Sequence, residues 1–180
     1  MKAHIFTDDS DTTSDNLDLP VVEYYEGTFR PVASLYHEMN EFAATSLHVL
    51  SEEYGVVHGQ QKLKTLSEKK PVPVGSNEMV KATRKKILHA TVNADVIVFL
   101  LSSDLFRRTV TQVWDEILDT AKPDSILCFS AARTALDVLN FDKLEQKNCT
   151  VLTYQRVGVA RIDTKTRKEL ISAIKQKRMI

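Results

Sequence analysis

Short apolar runs alternate along the chain with segments that have helical spacing. The clearest run covers residues 95–101, DVIVFLL, and its unbroken apolar character is typical of a parallel strand covered on both faces. Further core strands are predicted at residues 3–7, 46–51 and 125–129. Strands that alternate with helices predict an α/β fold, in which helices flank a mostly parallel central sheet in three layers.

The segments between these strands carry apolar residues with the period of a helix. Helices are predicted over residues 31–45, 76–93, 102–121, 131–139 and from about 163 onward. The predicted N-caps are Ser76, either Ser102 or Ser103, Ser130, and either Asp163 or Thr164. Short strands are predicted at residues 21–25, 151–154 and 157–162. The linker-like residues 67–77 are too few to separate two domains, so residues 1–180 are expected to form one domain.

The charges balance overall but are unevenly placed. The chain has 24 basic and 24 acidic residues, yet residues 1–53 hold eleven Asp and Glu, while residues 156–180 hold eight Lys and Arg. The predicted C-terminal helix is therefore basic and is a candidate surface for phosphates. Two cysteines and the lack of a long apolar segment predict a cytoplasmic protein with no membrane partner.

Polar residues follow the predicted core strands. Ligands bind outside the carboxyl ends of parallel strands, because helix N-termini and their free N–H groups converge there. The candidate ligand-binding residues at these ends are Thr7, Asp8, Asp9, Ser51, Gly55, Ser102, Ser103, Arg107, Ser130 and Arg133. Helix capping explains each serine taken alone, and surface ion pairing explains each arginine. Their expected convergence on one edge of the sheet nevertheless predicts a binding site.

The candidate catalytic residues are Glu52, Glu53 and Tyr54, which follow the strand at residues 46–51. A carboxylate beside an apolar strand end loses water contacts, which shifts its pKa toward values useful for acid–base chemistry. Tyr54 is a candidate to donate a hydrogen bond or to stack on a base. The alternatives are solvated surface charge for the two glutamates and a core-covering role for the tyrosine.

Several well-known sites are disfavoured by the sequence. It contains no G-x-G-x-x-G loop, no Walker-type phosphate loop and no G-x-S-x-G hydrolase elbow. The aspartates of residues 8–18 lack the turn glycine and terminal glutamate of a calcium loop, and the histidines lack zinc-ligand spacing. No metal site is therefore predicted, and no cofactor is identified.

Three short segments resemble a known family. They are LSEEYGVV at residues 50–57, YEGTF at residues 25–29 and VIVFL at residues 96–100. Together they are similar to small Rossmann-like proteins that carry an L-S-x-x-Y-G motif and are related to YaaA-like proteins and to the lyase domain of archaeosine synthase. The similarity covers residues 3 to about 139. It implies a Rossmann-like fold with a pocket at the motif.

Two positions depart from this family. Members commonly have a cysteine or serine with a lysine just after the first strand, where this chain has Thr7, Asp8, Asp9 and Ser10. They also have a lysine before the motif tyrosine, where this chain has Glu53. Acidic groups therefore stand where the resemblance implies cationic ones.

Two classes of function remain open. The first is a pocket protein that binds or acts on a nucleoside, nucleotide or modified purine, centred on Ser51 and the three candidate catalytic residues. The alternative is a non-enzymatic nucleic-acid or protein adaptor that uses the basic C-terminal helix, with Arg167, Lys168, Lys175, Lys177 and Arg178 exposed. A homodimer built on the helix that carries Trp114 is a further expectation. Neither a substrate nor a turnover step is assigned.

Overall fold

A computed structural model describes residues 1–69 and 71–179 of the chain. Its strands are β1 (Lys2–Asp8), β2 (Ala44–Ser51), β3 (Gly55–His58), β4 (Val96–Leu100), β5 (Ile126–Ala131) and β6 (Thr150–Gln155). They form a six-stranded sheet in the order β3-β2-β1-β4-β5-β6. All neighbouring strands are parallel except β2 and β3, which are antiparallel. The predicted α/β class and mostly parallel sheet are confirmed.

Helices pack around this sheet. They are α1 (Val21–Tyr24), α2 (Arg30–Asn40), α3 (Leu63–Lys69), α4 (Ser76–Asn93), α5 (Ser103–Arg108), α6 (Trp114–Thr120), α7 (Arg133–Asp137), α8 (Asp142–Gln146) and α9 (Thr164–Arg178). The Asp163 carboxylate accepts a hydrogen bond from Thr166 N at 3.0 Å, which confirms the predicted cap of the last helix. Lys70, in the predicted linker, and Ile180, at the end of the basic segment, lie outside the described residues.

The chain builds outward from β1 in both directions. It first adds β2 and β3 on one side of β1, and then returns to add β4, β5 and β6 on the other side. This reversal makes the carboxyl ends of β1 and β4 the topological switch point of the sheet, beyond which open α/β sheets bind ligands. We call the region beyond these two strand ends the crevice. All five residues of β4 are buried, as its continuous apolar run predicted.

Buried clusters cover both faces of the sheet. On one face, Ile5 of β1 belongs to the same cluster as Leu170 of α9. On the other face, the rings of Phe6, Phe99 and Phe129 stack across β1, β4 and β5, with centroids 5.7 and 5.3 Å apart. Aromatic rings that pair across neighbouring strands add to the energy of area burial and hold the three central strands in register.

Residues 21–25 form helix α1 instead of the predicted strand. Val21 and Val22 are both buried. The Val21 amide donates to Gln61 O at 2.8 Å, and the next amide donates to Gly59 O at 2.9 Å. These tertiary contacts hold the segment as a helical turn in which both valine side chains are buried. They override the preference of β-branched residues for a strand.

Residues 157–162 do not form the predicted second strand after β6. Val157 and Val159 are 73% and 75% exposed, and Gly158 between them has a φ of +72°. A positive φ interrupts an extended backbone, so this apolar pattern belongs to an exposed loop.

The helix predicted over residues 102–121 is interrupted. Helix α5 ends at Arg108 and is followed by Thr109, whose hydroxyl donates to Leu105 O at 2.6 Å. A short 3-10 turn then leads into α6. The residues from Thr109 to Thr111 are all β-branched, which disfavours a continuous helix through this point.

Two of the predicted N-caps are wrong. Ser130 lies within β5, and Ser76 is already the first residue of α4. The helix predicted over residues 31–45 is also too long. It ends at Asn40, because Ala44 already pairs with β1 in the sheet.

Candidate binding site at the carboxyl ends of the strands

Parallel pairing brings the predicted strand ends to one edge of the sheet. Strands β1, β2, β4, β5 and β6 all run in the same direction, so their carboxyl ends lie side by side. We call this edge the rim, and it comprises residues 8–11, 51–54, 101–103, 130–132 and 155–161. The expectation that these ends share an edge is confirmed.

The loop after β1 connects three strand ends. The two carboxylate oxygens of Asp8 accept hydrogen bonds from Ser102 N at 3.0 and 3.2 Å, which joins β1 to the start of α5. The Asp9 amide donates to Leu50 O at 3.2 Å, which joins the same loop to β2. Asp8 and Asp9 therefore lie at the reversal crevice, and the Asp8 carboxylate is already used to hold it together.

A buried arginine from near the end of the chain supports this loop. Arg161 is 7% exposed. Its Nη1 donates to Thr7 Oγ1 at 2.7 Å and to Asp8 O at 2.6 Å, and its Nη2 donates to Asp9 O at 2.7 Å. The Ser130 hydroxyl donates in turn to Arg161 O. Because these contacts use both terminal nitrogens, Arg161 positions the site and is not a free group for a ligand.

Burial also changes the acidity of this arginine. It lowers the pKa of Arg161, and the neighbouring Arg156 acts in the same direction, while the carboxylates of Asp8 and Asp9 oppose the change. A guanidinium in such surroundings is stabilised by hydrogen bonds to oxygen atoms, which the loop after β1 supplies.

The sequence pattern does not single out Arg161. It is one of eight basic residues in the last part of the chain, and its partners lie 152 to 154 positions earlier. Its one local signal is a position between Ala160 and Ile162, where apolar neighbours are typical of an inward-facing side chain.

Asp9 is a half-buried carboxyl group in the crevice. Burial raises its pKa from the usual 3.8 to about 6, and the charges of Asp8 and Asp11 add to the rise. Arg161 opposes this change, and Glu52 contributes a further small increase. A carboxyl group with a pKa near 6 gains and loses its proton close to physiological pH, as acid–base groups in active sites do.

Tyr25 lies close to Asp9, and Ser51 contacts both Tyr25 and Tyr54. Tyr25 is 5% exposed, and its burial, followed by the charge of Asp9, raises its pKa, while the Ser51 hydroxyl hydrogen-bonds to it and lowers it. The same Ser51 Oγ accepts from Tyr54 N at 3.1 Å. Burial and the carboxylate of Glu53 raise the pKa of Tyr54. Both phenols are therefore neutral hydrogen-bond donors at pH 7.

Glu52 and Glu53 do not have the desolvated environment expected of them. Both side chains are exposed at the tip of the β2–β3 hairpin, which turns back at Gly55 with a φ of +84°. The fold uses their backbone instead, since Glu52 O accepts from Gly75 N at 2.8 Å and Glu53 O accepts from Val74 N at 3.1 Å. The sequence predicted partly buried carboxylates at Glu52 and Glu53, but in the structure the partly buried carboxylate is that of Asp9.

The remaining predicted site residues differ in their surroundings. Arg107 is exposed in the last turn of α5, and Arg133 is exposed with its Nε 3.5 Å from the Asp137 carboxylate. Ser103 is the first residue of α5. The structure thus brings together at the crevice Thr7, Asp8, Asp9, Ser51, Tyr54 and Ser102.

Most cations predicted to be exposed on α9 contact their own chain. The contacts are Arg167 with Glu38 and Ser34, Lys175 with the Phe42 ring, Lys177 with Asp124 O and Arg178 with Glu41 O. Lys168 is exposed. These contacts attach α9 to the body of the protein and add no separate support to the adaptor hypothesis.

The homodimer was predicted on the helix that carries Trp114. The Trp114 ring is 8% exposed and packs against Phe129 and Phe141, with centroids 5.5 and 5.6 Å away, so it is a core residue. Within residues 1–69 and 71–179, no group of three or more His, Cys, Asp or Glu is arranged to hold a metal ion. In the same part of the chain, no helix combines the length and apolar character needed to cross a membrane.

Comparison with known proteins leaves the family open. No family model matches the chain, and no curated protein matches it. Among similar solved structures, SOBER1 from Arabidopsis thaliana shares 12% identity at a TM-score of 0.42, over 99% of this chain and 100% of that one. An azoreductase from Bacillus anthracis str. Sterne shares 15% identity at a TM-score of 0.37, over 99% and 97%. Both TM-scores are below 0.5.

Replacement of Arg161 tests its supporting role. Arg161→Met keeps most of the apolar stem but removes the donors to the carbonyls of Asp8 and Asp9. We therefore expect the free energy of unfolding, measured with urea at pH 7, to fall by about 3 kcal/mol. The control Arg133→Met removes an exposed guanidinium and should change stability by less than about 0.5 kcal/mol. Equal effects of the two substitutions would show that Arg161 does not support the rim.

The raised pKa of Asp9 predicts a stability difference that depends on pH. The unfolded chain loses this proton near pH 3.8 and the folded protein near pH 6, so the ionised carboxylate opposes folding at neutral pH. Asp9→Asn should therefore stabilise the protein at pH 7.5 by about 1 kcal/mol, a value reduced for solvent screening of a half-buried group. As the pH falls through 6 to about 3.8, the gain should disappear, because wild-type Asp9 becomes protonated in both states.

Asp15→Asn is the matched control, since Asp15 is an exposed residue of the same loop. It should show no comparable gain at pH 7.5. If Asp9→Asn is no more stable than wild type at pH 7.5, Asp9 is an ordinary solvated carboxylate.

Proposed function

We propose that the crevice at the rim binds a nucleoside, nucleotide or modified purine, in a Rossmann-like fold. The observation that carries the proposal is the half-buried Asp9 carboxyl group, with Tyr25 beside it and Ser51 linking Tyr25 to Tyr54. These residues come from the loop after β1, the segment before α2 and the β2–β3 hairpin. Three separate parts of the chain therefore contribute polar groups to one crevice.

The groups around Asp9 match the hydrogen-bonding edges of a nucleoside. A carboxylate accepts hydrogen bonds from ring N–H groups, exocyclic amino groups and ribose hydroxyls. Tyr54 is only partly buried, so its ring offers a surface on which a planar base stacks. A planar ligand with N–H donors would also stabilise the Asp9 carboxylate, because Arg161 donates to the backbone carbonyl of Asp9 and not to its carboxylate.

The charge of the rim favours a base and sugar over a phosphate next to Asp9. Asp8, Asp11 and Glu52 are all close enough to raise the pKa of Asp9, and the hydrogen bonds of Arg161 are used within the protein. The sequence also has no phosphate loop. A nucleotide phosphate would therefore point away from the acidic groups, and a nucleoside or free modified purine is the preferred form of the ligand.

The strand order supports a Rossmann-like interpretation. Strand β1 lies between β2 and β4, and the chain reverses direction across the sheet at this point, as in dinucleotide-binding sheets. The segment at residues 50–57 that resembles the L-S-x-x-Y-G motif spans the end of β2. The resemblance and the Asp9 environment thus favour the same crevice.

Proton transfer at this site would use Asp9. Its pKa of about 6 lies near the operating pH, where a group can both accept and donate a proton efficiently. The side chains of Glu52 and Glu53 face solvent at the tip of the β2–β3 hairpin. Tyr25 would act as a neutral donor that orients the ligand.

Direct binding measurements test the proposal. Isothermal titration calorimetry with a panel of nucleosides, nucleotides and deazapurines should give a saturable signal for at least one ligand of this class. Asp9→Asn should weaken that binding about tenfold or more, because it removes a charged hydrogen-bond acceptor.

Two further variants make the test specific. Asp15→Asn changes the same charge at an exposed position and should bind like wild type. The double variant Glu52→Gln, Glu53→Gln should lose less affinity than Asp9→Asn, because both side chains face solvent. The proposal fails if no ligand of the panel binds, or if Asp9→Asn binds as well as wild type.

A further inference from the structure

Four of the five histidines gather at the opposite end of the sheet from the rim. His4, His58 and His89 line a cleft of about 560 Å³ near the amino ends of β1 and β2. An adjoining cleft of about 380 Å³ shares His58 and is also lined by His48 and Lys86. We call these two adjoining cavities the histidine cleft. Its walls come from β1, β2, β3, α2 and α4.

His48 contacts two of the other histidines, His4 and His58. His4 Nδ1 lies 2.9 Å from His48 Nε2, so one ring donates a hydrogen bond and the other accepts it. The His48 and His58 rings meet edge to face at 6.2 Å. A nitrogen that accepts a hydrogen bond must be unprotonated, so this contact holds only one proton. The contact therefore favours neutral rings when the cleft is empty.

The charged side chains that line the histidine cleft are lysines, and its histidines can also become positively charged. Lys2 on β1 acts on His4, Lys86 on α4 acts on His48 and His58, and His89 on α4 faces His4. No Asp or Glu is among the described residues that line either cavity. In a chain with as many acidic as basic residues, this exclusion of carboxylates marks a site for an anion.

We propose that the histidine cleft binds the phosphate group of a small phosphorylated metabolite and takes up a proton as it does so. Lys2 and Lys86 supply permanent positive charge, and the imidazoles supply N–H donors. A phosphate monoester has its second pKa near 6, so its charge changes in the same pH range as histidine. This site is separate from the rim and does not depend on the function proposed for it.

The lack of carboxylates beside the histidines gives the energetic reason for proton uptake. Burial lowers the pKa of His4, His48 and His58, with mutual repulsion and the nearby lysines adding to the effect, and His48 reaches about 3. A bound dianion reverses the balance, because it stabilises the imidazolium that burial and the lysines destabilise. Phosphate binding and protonation therefore strengthen each other, and affinity should increase as the pH falls from 8 toward 6.

The rest of the lining favours a polar carrier for the phosphate. The larger cavity is walled by Tyr36, Asn40, Ser46, Gln60 and Asn93, and Ala44 is its sole aliphatic residue among those described. Amide and hydroxyl groups of this kind bind hydroxyls, as in a sugar or polyol phosphate. The volume is within the range of small-molecule sites.

Histidine side-chain NMR with inorganic phosphate as the probe tests this inference. Phosphate, compared with chloride at matched ionic strength, should shift the imidazole signals of His4, His58 and His89, and it should raise the apparent pKa of His4 and His58. His37 is the internal control, because it is exposed on α2 and does not line the histidine cleft. Selective shifts of the cleft histidines support the site, whereas no shifts, or equal shifts that include His37, overturn it.

A pair of lysine variants on one helix checks the result independently. Lys86 and Lys81 are both exposed on α4, but Lys86 alone of the two lines the histidine cleft. Lys86→Gln should weaken phosphate binding about tenfold, as expected for loss of a charged hydrogen bond, and Lys81→Gln should leave it unchanged. Both variants keep the buried side chains and should fold, which their melting temperatures verify. Equal affinity of the two variants for phosphate contradicts the proposal.

Discussion

The hydrogen bonds of the Arg161 guanidinium are the contacts on which the rim depends. A buried guanidinium is strongly disfavoured unless oxygen atoms surround it, and here Thr7 Oγ1 and the carbonyls of Asp8 and Asp9 lie 2.6 to 2.7 Å away. This requirement fixes the backbone of the loop after β1. The fixed loop then holds the Asp8 carboxylate on Ser102 N and leaves the Asp9 side chain in the crevice.

The same contacts explain why Asp9 is held at an energetic disadvantage. Arg161 donates to the backbone carbonyl of Asp9 and not to its carboxylate, so the positive charge reduces the pKa shift without cancelling it. Burial and the neighbouring acids prevail, and the carboxyl group keeps its proton up to about pH 6. A charged group that opposes folding in an otherwise well-packed protein is typical of a functional site. The histidine cleft follows the same principle with basic groups.

The sequence predicted the parts of this arrangement that depend on local patterns. Continuous apolar runs identified the core strands, and parallel pairing then followed from their alternation with helices. The sequence placed the candidate site near residues 50–57 and favoured Glu52 and Glu53 as acid–base groups. It did not favour Asp9, because the exposure of a hairpin tip and the burial of a loop depend on tertiary structure. The role of Arg161 could not be predicted from local patterns, since its partners are more than 150 positions away in the sequence. Helix α1 was mispredicted for the same reason, because distant carbonyls stabilise it.

The acidity of Asp9 can be measured directly, and it is the central claim of this account. Carbon-detected NMR of side-chain carboxyl groups, recorded between pH 3 and 8, follows the ionisation of each aspartate in the folded protein. We predict a midpoint near pH 6 for Asp9. A midpoint for Asp9 near its usual value of 3.8 would contradict this prediction, because the crevice would then hold an ordinary solvated carboxylate.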